Sequence, residues 1–81
     1  MYRVVITNEN LSTGNKIEEM YDFNNHEDLD NFMVGVKKAV ALIESLDVNY
    51  IQDDAQAFEY EMRKDDFQIG FCIRYEYKEV A

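Results

Sequence analysis

The chain contains one cysteine, Cys72, and one histidine, His26. A single thiol excludes an internal disulfide and makes a reducing, cytoplasmic compartment the expected one. A single imidazole leaves no nucleophile with a base beside it, because His26 falls at an expected helix start and Cys72 on a strand. Glycine is sparse as well, and Gly14, Gly35 and Gly70 are too scattered to form a phosphate-cradling loop. No hydrophobic run approaches membrane-spanning length, and residues 1–7, interrupted by Arg3, lack the apolar stretch of a signal peptide. There is no internal repeat, low-complexity tract or linker.

Positive charge is the other scarcity. Eight basic residues stand against 17 acidic ones, a formal net charge of −9. Such a field repels phosphates, so direct binding to DNA, RNA or an anionic membrane is disfavoured and a basic protein surface is attracted. What the chain does have is apolar substance: 47% hydrophobic and 14% aromatic residues over 81 positions, too much for a disordered acidic tail and enough for one domain spanning residues 1–81.

Periodicity supplies the layout. Tyr2, Val4 and Ile6 alternate with Arg3, Val5 and Thr7, as in a strand with one better-buried face, and a polar stretch containing Gly14 leads to Ile17, Tyr21 and Phe23 on a second strand. Asn24 or Asn25 then caps a helix whose first turn holds His26, Glu27 and Asp28. Leu29, Phe32, Met33, Val36, Ala39, Val40 and Ile43 recur at three and four residues, with Asp30, Asn31, Lys37, Lys38, Glu44 and Ser45 opposite. With Asp47 and Asn49 marking its end, this predicts a helix of ~20 residues and ~30 Å.

Phe58, Tyr60 and Met62 mark the next strand, and Lys64, Asp65 and Asp66 a short connection. From Phe67 to Tyr77 every second residue is then apolar, the cleanest signal in the chain, with Gln68, Gly70, Cys72, Arg74, Glu76 and Lys78 opposite. The expectation is an α+β domain of order β-β-α-β-β, one long helix on one face of a four-stranded, mainly antiparallel sheet, its last strand interior. The other face would show Arg3, Glu18, Glu59, Glu61, Arg74 and Glu76.

The chemistry points to binding and not catalysis. His26 and Asp30 share a helix face as an i,i+4 pair, but no second histidine and no calcium-loop pattern accompany them, so the expectation is no metal and no cofactor. Carboxylate pairs are too common in an acidic chain to single out an acid–base dyad. The match to a glycosylation acceptor at Asn10, Leu11 and Ser12 is chance in a cytoplasmic chain.

Acidic residues do gather along the sequence. Glu18, Glu19, Asp22, Glu27, Asp28 and Asp30 occupy a window free of lysine and arginine, and Glu44, Asp47, Asp53, Asp54, Glu59 and Glu61 occupy a second. A solvated polar surface accounts for such windows; so does a site for a basic partner. In size, acidity and α+β layout the chain resembles the small phage-encoded inhibitors, anti-CRISPR proteins among them, that block host nucleases. That resemblance implies an inhibitor, in the host cytoplasm, that presents carboxylates in imitation of nucleic-acid phosphates to the basic groove of a nucleic-acid-binding protein. It rests on overall character and carries over no residue.

The candidate contacts come from this sequence: Glu18, Glu19, Asp22, Glu27, Asp28, Asp30, Asp53, Asp54, Glu59 and Glu61. Two alternatives stand beside this one. In the first, the chain is an interaction module or homodimer that uses its open sheet face or an edge strand, with Tyr75 and Tyr77 as anchors if they outlast the helix's cover. In the second, it is a structural or regulatory component of a phage or mobile element.

Overall fold

The structure, a computed structural model, describes residues 1–43, 47–64 and 67–80. The chain runs β1 (Tyr2–Asn10), β2 (Lys16–Phe23), α1 (His26–Ala41), β3 (Asp47–Asp53), β4 (Ala57–Lys64) and β5 (Phe67–Glu79). The sheet therefore has five strands, not four, in the order β2-β1-β5-β4-β3, with every neighbouring pair antiparallel.

The additional strand lies where the sequence suggested the end of a helix. Asp47 and Asn49, taken as helix terminators, pair with Arg63 and Glu61 in β3, while Val48 and Tyr50 pair with Met62 and Tyr60 on the face that carries the core. Two apolar residues are a short alternation, and a register shift between Tyr50 and Gln52 interrupts it at Ile51, so the period of two is hidden. The helix is correspondingly shorter, 16 residues in place of ~20. Leu42 and Ile43 close it with bonds to the Ala39 and Val40 carbonyls at 3.2 and 3.1 Å. Glu44 and Ser45, expected on its polar side, and Asp65 and Asp66, expected in a connection, lie outside the described residues; Lys64 belongs to β4.

Asn25 is the cap, its side-chain oxygen accepting the Asp28 N–H at 2.9 Å, with Glu27 and Asp28 at the positive end of the helix dipole and Lys38 in the last turn. Leu29, Met33 and Val40 are buried with Val4, Phe58 and Tyr60 of the sheet, and Phe58 and Val4 are fully enclosed. The partly buried Tyr2, Ile6, Phe23, Phe32, Val48 and Tyr75 extend this core. Because β2 and β3 are the two edges of the sheet, α1 links one edge to the other across the intervening strands.

The β1–β2 turn is closed by Asn10, whose backbone bonds Asn15 and Gly14 and whose side-chain oxygen accepts the N–H groups of Ser12 and Thr13. Gly14 has φ +77°, the left-handed conformation such a turn requires. At the opposite end of the sheet the Val80 N–H donates to the Met1 carbonyl at 3.0 Å, bringing the first and last described residues together.

Candidate functional site

The strand registers decide where the acidic residues go. Along β2 the pairing sets Glu18 beside Thr7 and Glu19 beside Ile6, so the two neighbours project from opposite faces of the sheet. Glu18 and Asp22 share the open face with Glu59 and Glu61, Glu19 lies on the helix-covered face, Glu27, Asp28 and Asp30 sit at the helix start, and Asp53 and Asp54 at the β3–β4 turn. The two acidic windows are thereby divided among four places.

Most of these carboxylates also have partners. Arg3 binds Asp22 through two nitrogens at 2.7 and 3.2 Å, Lys37 binds Asp53 at 2.7 Å, and Arg74 binds Glu59 at 3.0 Å. Arg63 pairs with Glu61, and His26 Nδ1 lies 2.7 Å from Asp30. Asp54 builds the β3–β4 turn, accepting the N–H groups of Gln56 and Ala57 and the side-chain amide of Gln52. Two of these contacts mark their carboxyl groups electrostatically: the Arg3 hydrogen bond holds Asp22 below its ordinary range, and the backbone N–H of Gln56, followed by Gln52 and Ala57, does the same for Asp54.

Arg3, Lys16, Arg63, Arg74 and Lys78 all project from the open face. Further pairs of Arg74 and Lys78 with Glu76, and of Lys16 with Glu9, make that face a lattice of alternating sign. Of the ten candidates, Glu18, Glu19, Glu27, Asp28 and Asp54 have no ion pair among the described residues; Glu19 accepts the Tyr21 hydroxyl, at 2.9 Å.

Cys72 lies in the same lattice. Its thiol donates to Glu59 at 3.4 Å, and burial, then that contact and the neighbouring carboxylates, push it up to about 11, so little thiolate forms at neutral pH. Among the described residues no three potential metal ligands gather.

The sequence offers an edge strand as an alternative surface without saying which strand it is; the structure places β2 at one edge. Every residue from Lys16 to Asp22 is exposed, including Ile17 at 65%, Met20 at 58% and Tyr21 at 46%. Ile17 and Tyr21 carry the alternation of an inward face, but they stand at the sheet's margin. Met20 projects from the open face beside Val5. Its pairing with β1 runs without interruption from Phe23 to Lys16, so its outer edge presents a straight row of alternate N–H and C=O groups. Tyr75 and Tyr77, expected as interface anchors, are instead partly buried against the core. No local signal marks β2 as the margin, because which strand lacks a neighbour is settled by pairing distant in sequence.

No protein-family model, curated protein or solved structure matches the chain. No helix among the described residues is long and apolar enough to cross a membrane.

Proposed function

We propose that the protein is a binding module that takes an extended, basic segment of another protein as an added strand along β2. The observation that carries this reading is the uninterrupted outer edge of β2, with Ile17, Met20 and Tyr21 exposed on it. Main-chain bonds supply affinity in strand addition and alternate side chains supply selectivity. Here the apolar residues are interleaved with Glu18 and Glu19, which have no ion pair among the described residues, so a strand carrying lysine or arginine and alternate apolar residues is the complementary partner. The net charge of −9 favours the same partner at long range and opposes pairing with a second copy.

The inhibitor reading is proposed in this narrower form. A nucleic-acid-binding protein offers basic segments, and engagement through β2 replaces the broad surface of ten carboxylates, whose ion pairs reduce what it can offer a basic groove. The lone Cys72 keeps the reducing cytoplasm as the proposed compartment.

The test compares two double variants in capture of partners from cell lysate, with the captured protein then identified and titrated. Ile17→Lys with Met20→Lys removes the apolar anchors from exposed positions and is expected to abolish binding with the fold intact. Glu27→Lys with Asp28→Lys is expected to leave binding within about threefold, since exposed charges away from an interface change little. The opposite pattern rejects β2 and restores an acidic surface as the site.

A further inference from the structure

On the far side of the helix from β2's margin lies a cleft of about 680 Å³, within the ~300–1,000 Å³ range of small-molecule sites. One wall is a face of α1 that carries Leu29, Met33 and Val34, and the other is the rim of the sheet, with Ala55 of the β3–β4 turn and Tyr77 near the end of β5. Tyr2 closes one end, its ring edge-on to His26 with centroids 5.4 Å apart.

The charges at the rim are unequal once their partners are counted. Lys37 lines the cleft, but its ammonium is bound to Asp53 at 2.7 Å and stands over the Phe58 ring. Lys78 lies 3.5 Å from Glu76 of the open face. Asp54 and Glu79 also line the cleft; the Asp54 oxygens accept from Gln52, Gln56 and Ala57, Asp30 is paired with His26, and Glu79 has no ion pair among the described residues. The hydroxyl oxygen of Tyr77 is closed off from solvent and has no hydrogen-bond partner among the described residues. A carboxylate rim, aromatic rings and an apolar floor together match one chemistry, a cation joined to an apolar body.

We propose that this cleft binds a small organic ammonium ion, a protonated amine on an aromatic or aliphatic body. The apolar part lies between Leu29, Met33 and Tyr77, and the ammonium is held by Glu79 near the ring of Tyr2, with the charge of Asp54 close by. The site is separate from the β2 edge, so the two act independently and either can fail alone.

The test uses 2-phenylethylamine as probe, with 2-phenylethanol as its neutral counterpart and 3-phenylpropionate as an anion of similar body, followed through the methyl resonances of Leu29, Met33, Val34 and Ala55. Saturable shifts at these methyls with the amine are expected, with the alcohol about tenfold weaker and the anion silent, since one charge-assisted contact corresponds to about an order of magnitude in affinity. Glu79→Gln is expected to weaken the amine about tenfold, and Val34→Trp, a filling substitution at an exposed position, to abolish the shifts while the melting temperature is unchanged. Three results overturn the proposal: equal binding of amine and alcohol, amine shifts spread over the surface and indifferent to both variants, or no saturable shift at all.

Discussion

The two edges of this sheet are built differently. The outer strand β3 is interrupted at Ile51, begins and ends on Asp47 and Asp53, and is tied to the helix by Lys37, which bonds Asp53 and covers Phe58. β2 has no interruption and no ion pair to the helix among the described residues; its Tyr21 and Phe23 rings meet Phe32 of α1, while Ile17 and Met20 stand in solvent. Proteins guard edges with bulges, flanking charges and covering side chains, because an open edge recruits other strands. β3 has all three protections, whereas β2 has its charges and, toward Phe23, the ring of Phe32. Tyr50 and Ile51 are exposed on β3 as well, so the contrast lies in the ladder, which is unbroken along β2 and interrupted along β3.

Perturbing each margin in turn tests that contrast, and the largest effect belongs to the guarded side. Phe58→Ala, under Lys37 and beside β3, is expected to cost about 3–5 kcal/mol of stability in urea denaturation, whereas Ile17→Ala on β2 stays within about 0.5 kcal/mol. A loss above about 2 kcal/mol at Ile17 would mean that β2 is covered after all.

The next effect is alkaline. Burial raises Tyr60 and Tyr75 above the ordinary tyrosine range, and burial followed by Asp53, Asp54 and Asp30 raises Tyr77 to about 12. The unfolded chain gives up these protons from about pH 10 while the folded chain retains them, so stability is full below pH 10 and declines as pH rises through the folded values. Tyr60→Phe should flatten that decline, and Tyr21→Phe, on the exposed strand, should alter it much less. Thermal melts from pH 8 to 11.5 distinguish the two.

Lys37→Met removes the tie between α1 and β3 at an expected cost of about 0.5–1.5 kcal/mol. It should also speed hydrogen exchange in β3 and leave β2 unaltered; equal acceleration in both strands would erase the distinction. The smallest change is Tyr77→Phe. Deleting a buried hydroxyl that has no partner among the described residues is expected to shift stability by less than about 0.5 kcal/mol, or to raise it. A loss of 2 kcal/mol or more, larger than a typical hydrogen bond of about 1 kcal/mol, would show that the hydroxyl has a partner.

How much of this was legible in the sequence follows from how local each signal is. The alternation from Phe67 to Tyr77 marked β5, and β5 does lie in the interior of the sheet between β1 and β4. Asn25 with Glu27 and Asp28 marked the helix start, because a cap is a contact between residues three apart. β3 was missed because Val48 and Tyr50 are too few to establish a period before Ile51 breaks it. The acidic windows misled for a related reason: neighbours such as Glu18 and Glu19 are adjacent in the chain but separated by the thickness of the sheet. Neither the β2 edge nor the cleft has a local signature. One depends on which strand lacks a neighbour, the other on α1 meeting the β3–β4 turn and the end of β5.

The bond between Val80 and Met1 gives the molecule a seam that can be moved. Joining Met1 to Val80 through a short linker and reopening the chain in the turn after Asn10 would yield a circular permutant in which β2 opens the polypeptide, with the pairing order of the strands unaltered. In such a permutant β2 stays joined to α1 but loses its covalent link to β1, leaving the ladder with β1 and the residues after Phe23 to hold it. Exchange rates in β2, compared between the two connectivities, would show how far the hairpin alone keeps that margin rigid enough to receive another chain.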